Sequence, residues 1–537
     1  MNDVFVEHPL ITKGKVEERE YQSALAKIAS KESTLIVLPT GMGKTIIALR
    51  VIAEVLSKKG GKALFLAPTK PLVEQHACFL REHLVDKKVA VMTGEVTPEE
   101  RELLWLENDV IASTPQVVAN DLRTGRVGLQ KVKLIIFDEA HRAVGNYAYV
   151  SVAAEYGQYP GLVLGMTASP GSSGSHIKDV CKNLGIEHIE VRSESDPDVV
   201  KYVHDIQMDY VEVEVPLEMK RIIFVLRNLY DEYVSMLTKF GVLDKKRPVT
   251  RKYLLEIGNA LQARSRGGEK HRNLFQAMSL QAMAIKVDHA LEMAETQGAT
   301  ALRNYLKGLL EEATADGGSK ASRTIVASVQ FIKVQEMLLA LKVEHPKLAK
   351  VMTIVSWQVN QNPDSRVIVF THFRDTADLM ASKLATVDGV RAVKLVGQSS
   401  HSGEKGLRQK EQVGVLDRFR SGEFNVLVAT SVGEEGLDVA STDLVVFYEP
   451  VPSEIRAIQR RGRTGRKRSG RVVVLVTKGT RDEAYAYASS NKERSMRRGL
   501  FQVQRSMDRE KGLVTCQEDQ KETQEGQKGQ RLLSDFS

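Results

Sequence analysis

Leu38-Pro-Thr-Gly-Met-Gly-Lys-Thr45 follows the apolar run TLIV, from Thr34 to Val37, and precedes the helix-like stretch IIALRVIAEVL, from Ile46 to Leu56. A strand that turns through glycines into a helix gathers backbone N–H groups and the positive end of a helix dipole around one point, which suits phosphate oxygens. Lys44 can reach the β- and γ-phosphates of a nucleotide, and the Thr45 hydroxyl can ligate Mg²⁺. Thr40, Gly41, Met42, Gly43, Lys44 and Thr45 are therefore read as a nucleotide cradle, with ATP and Mg²⁺ as the cofactors. The usual G-x-x-x-x-G-K-T has glycine where this chain has Leu38. The strand–loop–helix context carries the reading across that departure.

Working outward, apolar runs of the same kind recur up to about Val191: ALFLAP, VAVMTG, DVIAST, KLIIFDEA and LVLGMTAS. A second series begins at Arg366 with RVIVFTHF and continues through VKLVG, NVLVATS, DLVVFYEP and RVVVLVTK. Nearly continuous apolar runs bounded by turns predict parallel strands buried on both faces. The stretch from Leu217 to His345 differs, with Pro248 as its only proline. Ile222, Leu226, Leu229, Tyr233, Leu237 and Phe240 recur at three- and four-residue steps and predict one apolar helix face. The fold class is α/β, with two parallel-sheet domains and an α-helical domain inserted between them in the chain. The boundaries are 1–215, 216–345 and 346–507, followed by a disordered tail over 508–537, where Gln, Glu, Lys and Gly leave little to bury.

Composition narrows the class. At 537 residues the chain is too long for one core. No apolar run approaches the roughly 18 residues that a membrane span needs, and MNDVFVEHPL has no secretory pattern. Three widely separated cysteines exclude a disulfide framework and a cysteine zinc site, so a reduced, cytoplasmic protein is expected. Lys and Arg total 76 against 68 Asp and Glu, a mild excess compatible with nucleic acid. Between Lys245 and Arg272 nine basic residues face two acidic ones. That stretch is either a nucleic-acid contact or a solvated helix face.

Asp138-Glu139-Ala140-His141 closes the run KLIIF. Acidic residues at a strand's carboxyl end sit where α/β sheets bind ligands. Asp138 can hold Mg²⁺, and Glu139 can take a proton from an attacking water. In the second α/β block, Gln459-Arg-Arg-Gly-Arg-Thr-Gly-Arg466 supplies guanidinium groups that can stabilise a phosphoryl group in transfer. A nucleic-acid patch is the competing use of those arginines.

These segments, with Thr167-Ala-Ser169 and Ala429-Thr-Ser-Val-Gly-Glu-Glu-Gly-Leu-Asp438, occur in the order of the superfamily 2 helicases. Ala67-Pro-Thr-Lys-Pro-Leu-Val73 and Ser113-Thr-Pro-Gln116 resemble that group's strand-contacting motifs, and Tyr21-Gln22 its adenine-reading segment. The long helical insert and the wording from Gly436 to Arg466 resemble the helicase part of archaeal Hef, of the Fanconi-anaemia M and Mph1 family. The XPF-type nuclease signature of Hef is absent from this sequence, so no nuclease activity is expected of it.

The resemblance implies two RecA-like domains and assigns roles residue by residue. Gln22, with Arg19 beside it, would read adenine. His141, Thr167 and Ser169 would couple nucleotide state to the strand. Gly436 and Asp438 would approach the nucleotide from the second domain. Gln459, Arg463 and Arg466 would complete the catalytic set with Lys44 and Glu139. Thr69, Lys70, Thr114, Gln398 and Thr430 would meet the nucleic-acid backbone. Lys245, Lys246, Arg247, Arg251 and Lys252 are expected to hold duplex or branched DNA.

The implied activity is ATP-dependent DNA translocation on forks and four-way junctions in repair, 3′ to 5′, with single-stranded, forked and junction DNA as partners and a nucleoid-associated location. A double-stranded-RNA-stimulated ATPase of the Dicer-helicase type is the alternative, and an ATP-clamped nucleic-acid scaffold is another. Gln530, Leu533 and Phe536 in QRLLSDFS resemble a peptide that docks into sliding clamps; a chance apolar ending reads the same way. A separate nuclease is the remaining expected partner.

Overall fold

A computed structural model describes residues 4–171, 174–202, 206–269, 271–397, 409–430, 442–451 and 470–510. They divide into two compact units, one comprising 4–202 with 490–510, the other 206–451 with 470–489. Among the described residues, no helix is long and apolar enough to cross a membrane.

The first unit is a seven-stranded parallel sheet. Its strands are β1 Thr34–Val37, β2 Lys62–Leu66, β3 Val89–Met92, β4 Val110–Ser113, β5 Val132–Asp138, β6 Leu162–Thr167 and β7 His188–Val191. Their order is β3-β4-β2-β5-β6-β1-β7. All four residues of β1 are buried, as a strand covered on both faces requires. Helix α1 (Glu20–Ala29) and α2 (Lys44–Lys59) cover one face, and α2 contributes eight buried residues from Ile47 to Leu56. The remaining helices are α3 Lys70–His83, α4 Pro98–Glu107, α5 Pro115–Arg123, α6 Ala148–Tyr156 and α7 Gly174–Leu184.

This strand order decides where the site forms. β6 lies between β5 and β1, with Val37 opposite Thr167 and Asp138 opposite Met166. The segments after β1, β5 and β6 therefore leave the sheet at one edge, though about 130 residues of sequence separate the first from the last.

The second unit carries β8 Ile206–Val213, β9 Val367–Phe370, β10 Ala392–Leu395, β11 Val426–Ala429, β12 Leu444–Phe447 and β13 Gly470–Thr477, ordered β10-β11-β9-β12-β13-β8. Every pairing is parallel. A helical bundle precedes the sheet's main run: α8 Leu217–Lys239, α9 Arg251–Arg266, α10 Arg272–Glu292, α11 Ala299–Thr314, α12 Lys320–Val326 and α13 Val329–Ala340. A π-helical turn, Met293–Gln297, links α10 to α11. The bundle has its own core, and α8 buries Ile222, Leu226, Leu229, Tyr233 and Leu237 in it. Phe240, expected on that face, is 40% exposed because α8 ends at Lys239. Helices α14 Pro346–Gln361, α15 Arg374–Leu384 and α16 Gln409–Ser421 pack with the sheet, and a long helix, Arg481–Glu510, follows β13.

Two expected boundaries shift. The segment before residue 215, assigned to the first domain, is β8, which pairs along its whole length with β13 of the second sheet. Its register is pinned by Asp209 accepting from Arg471 Nε at 2.7 Å. The end of the second domain also moves: Met496, Leu500 and Val503 of the long helix are buried in the core of the first unit. The tail beyond residue 510, including Gln530, Leu533 and Phe536, lies outside the described residues.

Candidate nucleotide site

Gly41 and Gly43 adopt φ of 85° and 77°, the left-handed region that a side chain strains to enter. Gly43 is also the residue on which α2 starts. A Cβ there would stand 2.4 Å from Gln22 Nε2. Gln22 is fully buried and donates to the Met42 carbonyl at 3.2 Å, while Tyr21 donates to the same oxygen at 2.8 Å. The segment expected to read adenine thus also braces the phosphate loop, and Gln22 Oε1 stays buried without a partner. Arg19 instead pairs with Glu17 at 2.8 Å and lies 5.4 Å above the Tyr202 ring.

Lys44 Nζ donates to the Leu38 carbonyl at 3.1 Å, and the Leu38 N–H donates to the Thr167 carbonyl at 3.0 Å. Leu38 serves through its backbone, which explains why a side chain is tolerated where the common pattern has glycine. Thr45 follows Lys44 in the first turn of α2 and is half-buried.

Asp138 ends β5 with 6% exposure. Burial alone would raise its pKa. The hydrogen bond from His76, the charge of Lys44 and the Glu139 backbone N–H outweigh it, so the carboxyl lies below its ordinary range. Tyr149 of α6 donates to the Asp138 carbonyl at 2.6 Å. Burial first, and then the charge of Asp138, push the Tyr149 phenol well up, so it remains a donor.

Glu139 adopts φ 48° and ψ 49°, a left-handed conformation costing about 1–3 kcal/mol for a residue with a side chain. Its Oε2 is buried with no hydrogen bond, although His141 Nδ1 lies 3.3 Å away. That proximity is an ion-pair distance without hydrogen-bond alignment, so the oxygen keeps its lone pairs.

Thr167 is the hub of the edge. Its hydroxyl donates to the Ser169 carbonyl at 3.2 Å and accepts from the Ser169 N–H at 3.1 Å. His141 Nδ1 stands 3.1 Å from the same oxygen; with that proton spent, the imidazole must be the donor. Ser169 Oγ donates to Met496 Sδ of the long helix at 2.9 Å.

The register Leu66 opposite Ser113 places Thr69 and Thr114 on adjacent turns, at the starts of α3 and α5. Neither threonine caps its helix through its side chain, and Thr69 Oγ1 is buried without a partner. Lys70 is committed to Glu95 and Glu74. Thr430 lies buried at the end of β11 in the second unit. Gln398, Gly436, Asp438, Gln459, Arg463 and Arg466 lie outside the described residues. His76 and Tyr149 escaped the sequence reading. A histidine on the buried face of α3, in step with Val73, Ala77 and Leu80, was the available signal for the first.

A glycine loop at a helix start, an acidic pair at the same sheet edge two strands away and a second parallel-sheet domain define a P-loop nucleotide enzyme with two α/β domains. Three family descriptions match: "DEAD/DEAH box helicase" over residues 19–174, "Putative ATP-dependent RNA helicase, helical bundle" over 218–345, and "Helicase conserved C-terminal domain" over 346–468. The crystal structure of the Hef helicase domain of Pyrococcus furiosus is 47% identical, with a TM-score of 0.67, covering 88% of this chain and 98% of that one. A putative ATP-dependent RNA helicase of Methanocaldococcus jannaschii is 41% identical over 93% of this chain and 62% of its own length. The ATP-dependent DNA helicase mph1 of Neurospora crassa is 33% identical over 88% of this chain and 42% of its own length. The chain thus spans about half the length of these two relatives. It belongs to the DEAD/DEAH-box helicases, in the family of the Hef helicase domain.

Proposed function

We propose that the chain is an ATP-dependent DNA helicase or translocase acting on forked and four-way-junction DNA in replication-fork repair, moving 3′ to 5′. The observation that carries the proposal is the meeting, at one sheet edge, of Lys44, Asp138 and the Glu139 oxygen that makes no hydrogen bond, beside the turns that bear Thr69 and Thr114. The likeness to Hef and to a relative named as a DNA helicase supports DNA as the strand.

Lys44 would hold the phosphates, and Glu139 would accept the proton of the attacking water through Oε2, which no hydrogen bond engages. Among the described residues no cluster of three or more His, Cys, Asp or Glu forms a metal cage. That fits Mg²⁺, which binds through one or two carboxylates together with substrate phosphates. The Thr45 hydroxyl and the Asp138 carboxylate are hard oxygen donors that would hold the ion. When bound, it neutralises charge on the phosphates. His141, Thr167 and Ser169 would carry the nucleotide state along the edge, and Arg463 and Arg466 would add guanidinium charge from the second domain. Backbone contacts through Thr69, Lys70 and Thr114 make binding independent of sequence and steeply weakened by salt. A sliding clamp and a separate nuclease are the further partners of this reading.

A second reading, stimulation by double-stranded RNA, is favoured by the RNA-helicase descriptions of the Methanocaldococcus relative and of the matched helical bundle. ATP turnover measured without nucleic acid and with single-stranded DNA, a fork, a four-way junction and double-stranded RNA, at one salt concentration, separates the two. Fork or junction stimulation above RNA is expected; stimulation by double-stranded RNA alone overturns the DNA reading. Glu139→Gln should keep ATP binding and lose about 10²- to 10⁴-fold in turnover. Equal turnover removes Glu139 from the role of base.

A further inference from the structure

His76 projects from the buried face of α3, the helix whose first turn bears Lys70. Its Nε2 stands 3.0 Å from Asp138 Oδ2, and both side chains are less than one-tenth exposed. The ring packs against Phe65 of β2, centroid to centroid 4.5 Å, which limits the directions in which the imidazole can turn. Nδ1 is buried and has no hydrogen-bond partner. A ring that donates from Nε2 and carries only a lone pair on Nδ1 leaves no buried N–H unmet, so the proton belongs on the nitrogen facing Asp138. A purely apolar side chain would fill the same volume without burying an unpartnered nitrogen. The hydrogen bond to Asp138 is what the imidazole adds.

We propose that His76 is a positioning residue for the ATP-bound Mg²⁺, holding the Asp138 carboxylate in the orientation that receives the ion. The proposal rests on reading Asp138 as a ligand of that ion. Partners that orient a ligating side chain contribute about 10- to 100-fold to metal affinity, the scale expected here.

The test uses the full chain with His76→Leu and His76→Phe, which keep the apolar volume and lose the donor, and His76→Gln, whose amide N–H can donate again. Binding of a fluorescent ATP analogue is titrated with Mg²⁺ and repeated in EDTA. The first two variants should raise the Mg²⁺ midpoint at least tenfold while leaving affinity in EDTA within twofold, and His76→Gln should recover most of the loss. An unchanged midpoint overturns the proposal, and so does an equal loss of affinity with and without Mg²⁺, which would make the ring a packing element alone. Asp138→Asn, run alongside, should abolish the Mg²⁺ dependence. If it keeps the wild-type midpoint, the ligand reading of Asp138 has failed, and the role of His76 fails with it.

Discussion

At the edge of the first sheet, Gln22 Oε1, Thr69 Oγ1, His76 Nδ1 and Glu139 Oε2 are all buried without hydrogen-bond partners. In the second unit, where the helical bundle meets the second sheet, Lys347 has no exposed surface, pairs with Asp482 and donates to the Thr296 carbonyl at 3.4 Å. Around it, Arg481 reaches Glu295 at 2.9 Å and Asp288 at 3.2 Å. Gln297 donates to Glu449 and accepts from Thr376, and Thr371 also donates to Glu449. Three atoms here lack partners, Asp288 Oδ2, Thr477 Oγ1 and Asp482 Oδ1, each in a residue bonded through another atom. An unpaired buried polar group costs about 1–3 kcal/mol. The first unit tolerates several where phosphate, ion and water would supply partners; the junction closes its polar groups on one another and binds bundle and sheet as one body. Four unmet atoms gather at the reactive edge, whereas the three at the junction belong to residues already tied into its ion-pair and hydrogen-bond network.

The strongest way to break this comparison is to open the frame. Lys347→Met leaves Asp482 buried without its cation, so the second unit should lose about 3–5 kcal/mol. Urea unfolding followed by Trp357 in a Trp105→Phe background reads that unit. A loss below about 1 kcal/mol would mean the junction is wetter than its burial indicates.

A smaller effect is expected from pH. His345 caps α14, accepting from the Lys347 N–H at 3.2 Å, and its Nε2 donates to the Glu295 carbonyl at 3.2 Å. Burial first, and then the charge of Lys347, push its pKa down to about 3. The unfolded chain protonates this histidine near pH 6.5 while the folded one does not, so its stabilisation is present above pH 6.5 and is lost as pH falls toward 3. The slope is about 1.4 kcal/mol per pH unit, or about 2 kcal/mol between pH 6.5 and 5. His345→Asn, which can still cap the helix, should flatten the acid side of the stability profile by that amount. An unchanged slope would show that the imidazole is already charged in the folded state.

At the reactive edge, Gly43→Ala should cost about 1–2 kcal/mol through its left-handed φ. Its Cβ would also displace Gln22 from the Met42 carbonyl. ATP-analogue affinity should fall about tenfold, equal to about 1.4 kcal/mol. Full affinity would mean that Gln22 braces nothing the nucleotide uses.

How much of this was written in the sequence depends on the range of the interaction. Each long apolar run became a strand, because strands buried on both faces need unbroken apolar residues. The strands that escaped notice, HIEV and IQMDYVEV, form sheet edges and carry polar residues. The glycine loop and acidic pair were legible because their chemistry is local. His76 on Asp138 and Lys347 on Asp482 were not, since strand order and packing bring together residues 62 and 135 positions apart.

The basic stretch of the bundle sharpens the comparison on the smallest scale. Arg247 pairs with Glu256 at 2.8 Å and lies 4.0 Å over Tyr253, while Arg251 pairs with Glu292 at 2.7 Å. Lys245, Lys246 and Lys252 are exposed and, among the described residues, enter no ion pair. If availability marks the groups that meet a ligand, the lysines carry the proposed DNA contact and the arginines shape the surface around it. Replacing the three lysines by glutamine should weaken fork binding and flatten its dependence on log salt by about 0.9 for each phosphate no longer neutralised. Basal ATP turnover and thermal unfolding should not move. Arg247→Gln should change fork affinity less than any two of the lysine changes together. The reverse order, with the arginine dominant, would mean that DNA displaces Glu256, and that pairing within the free protein does not predict which charges a strand recruits.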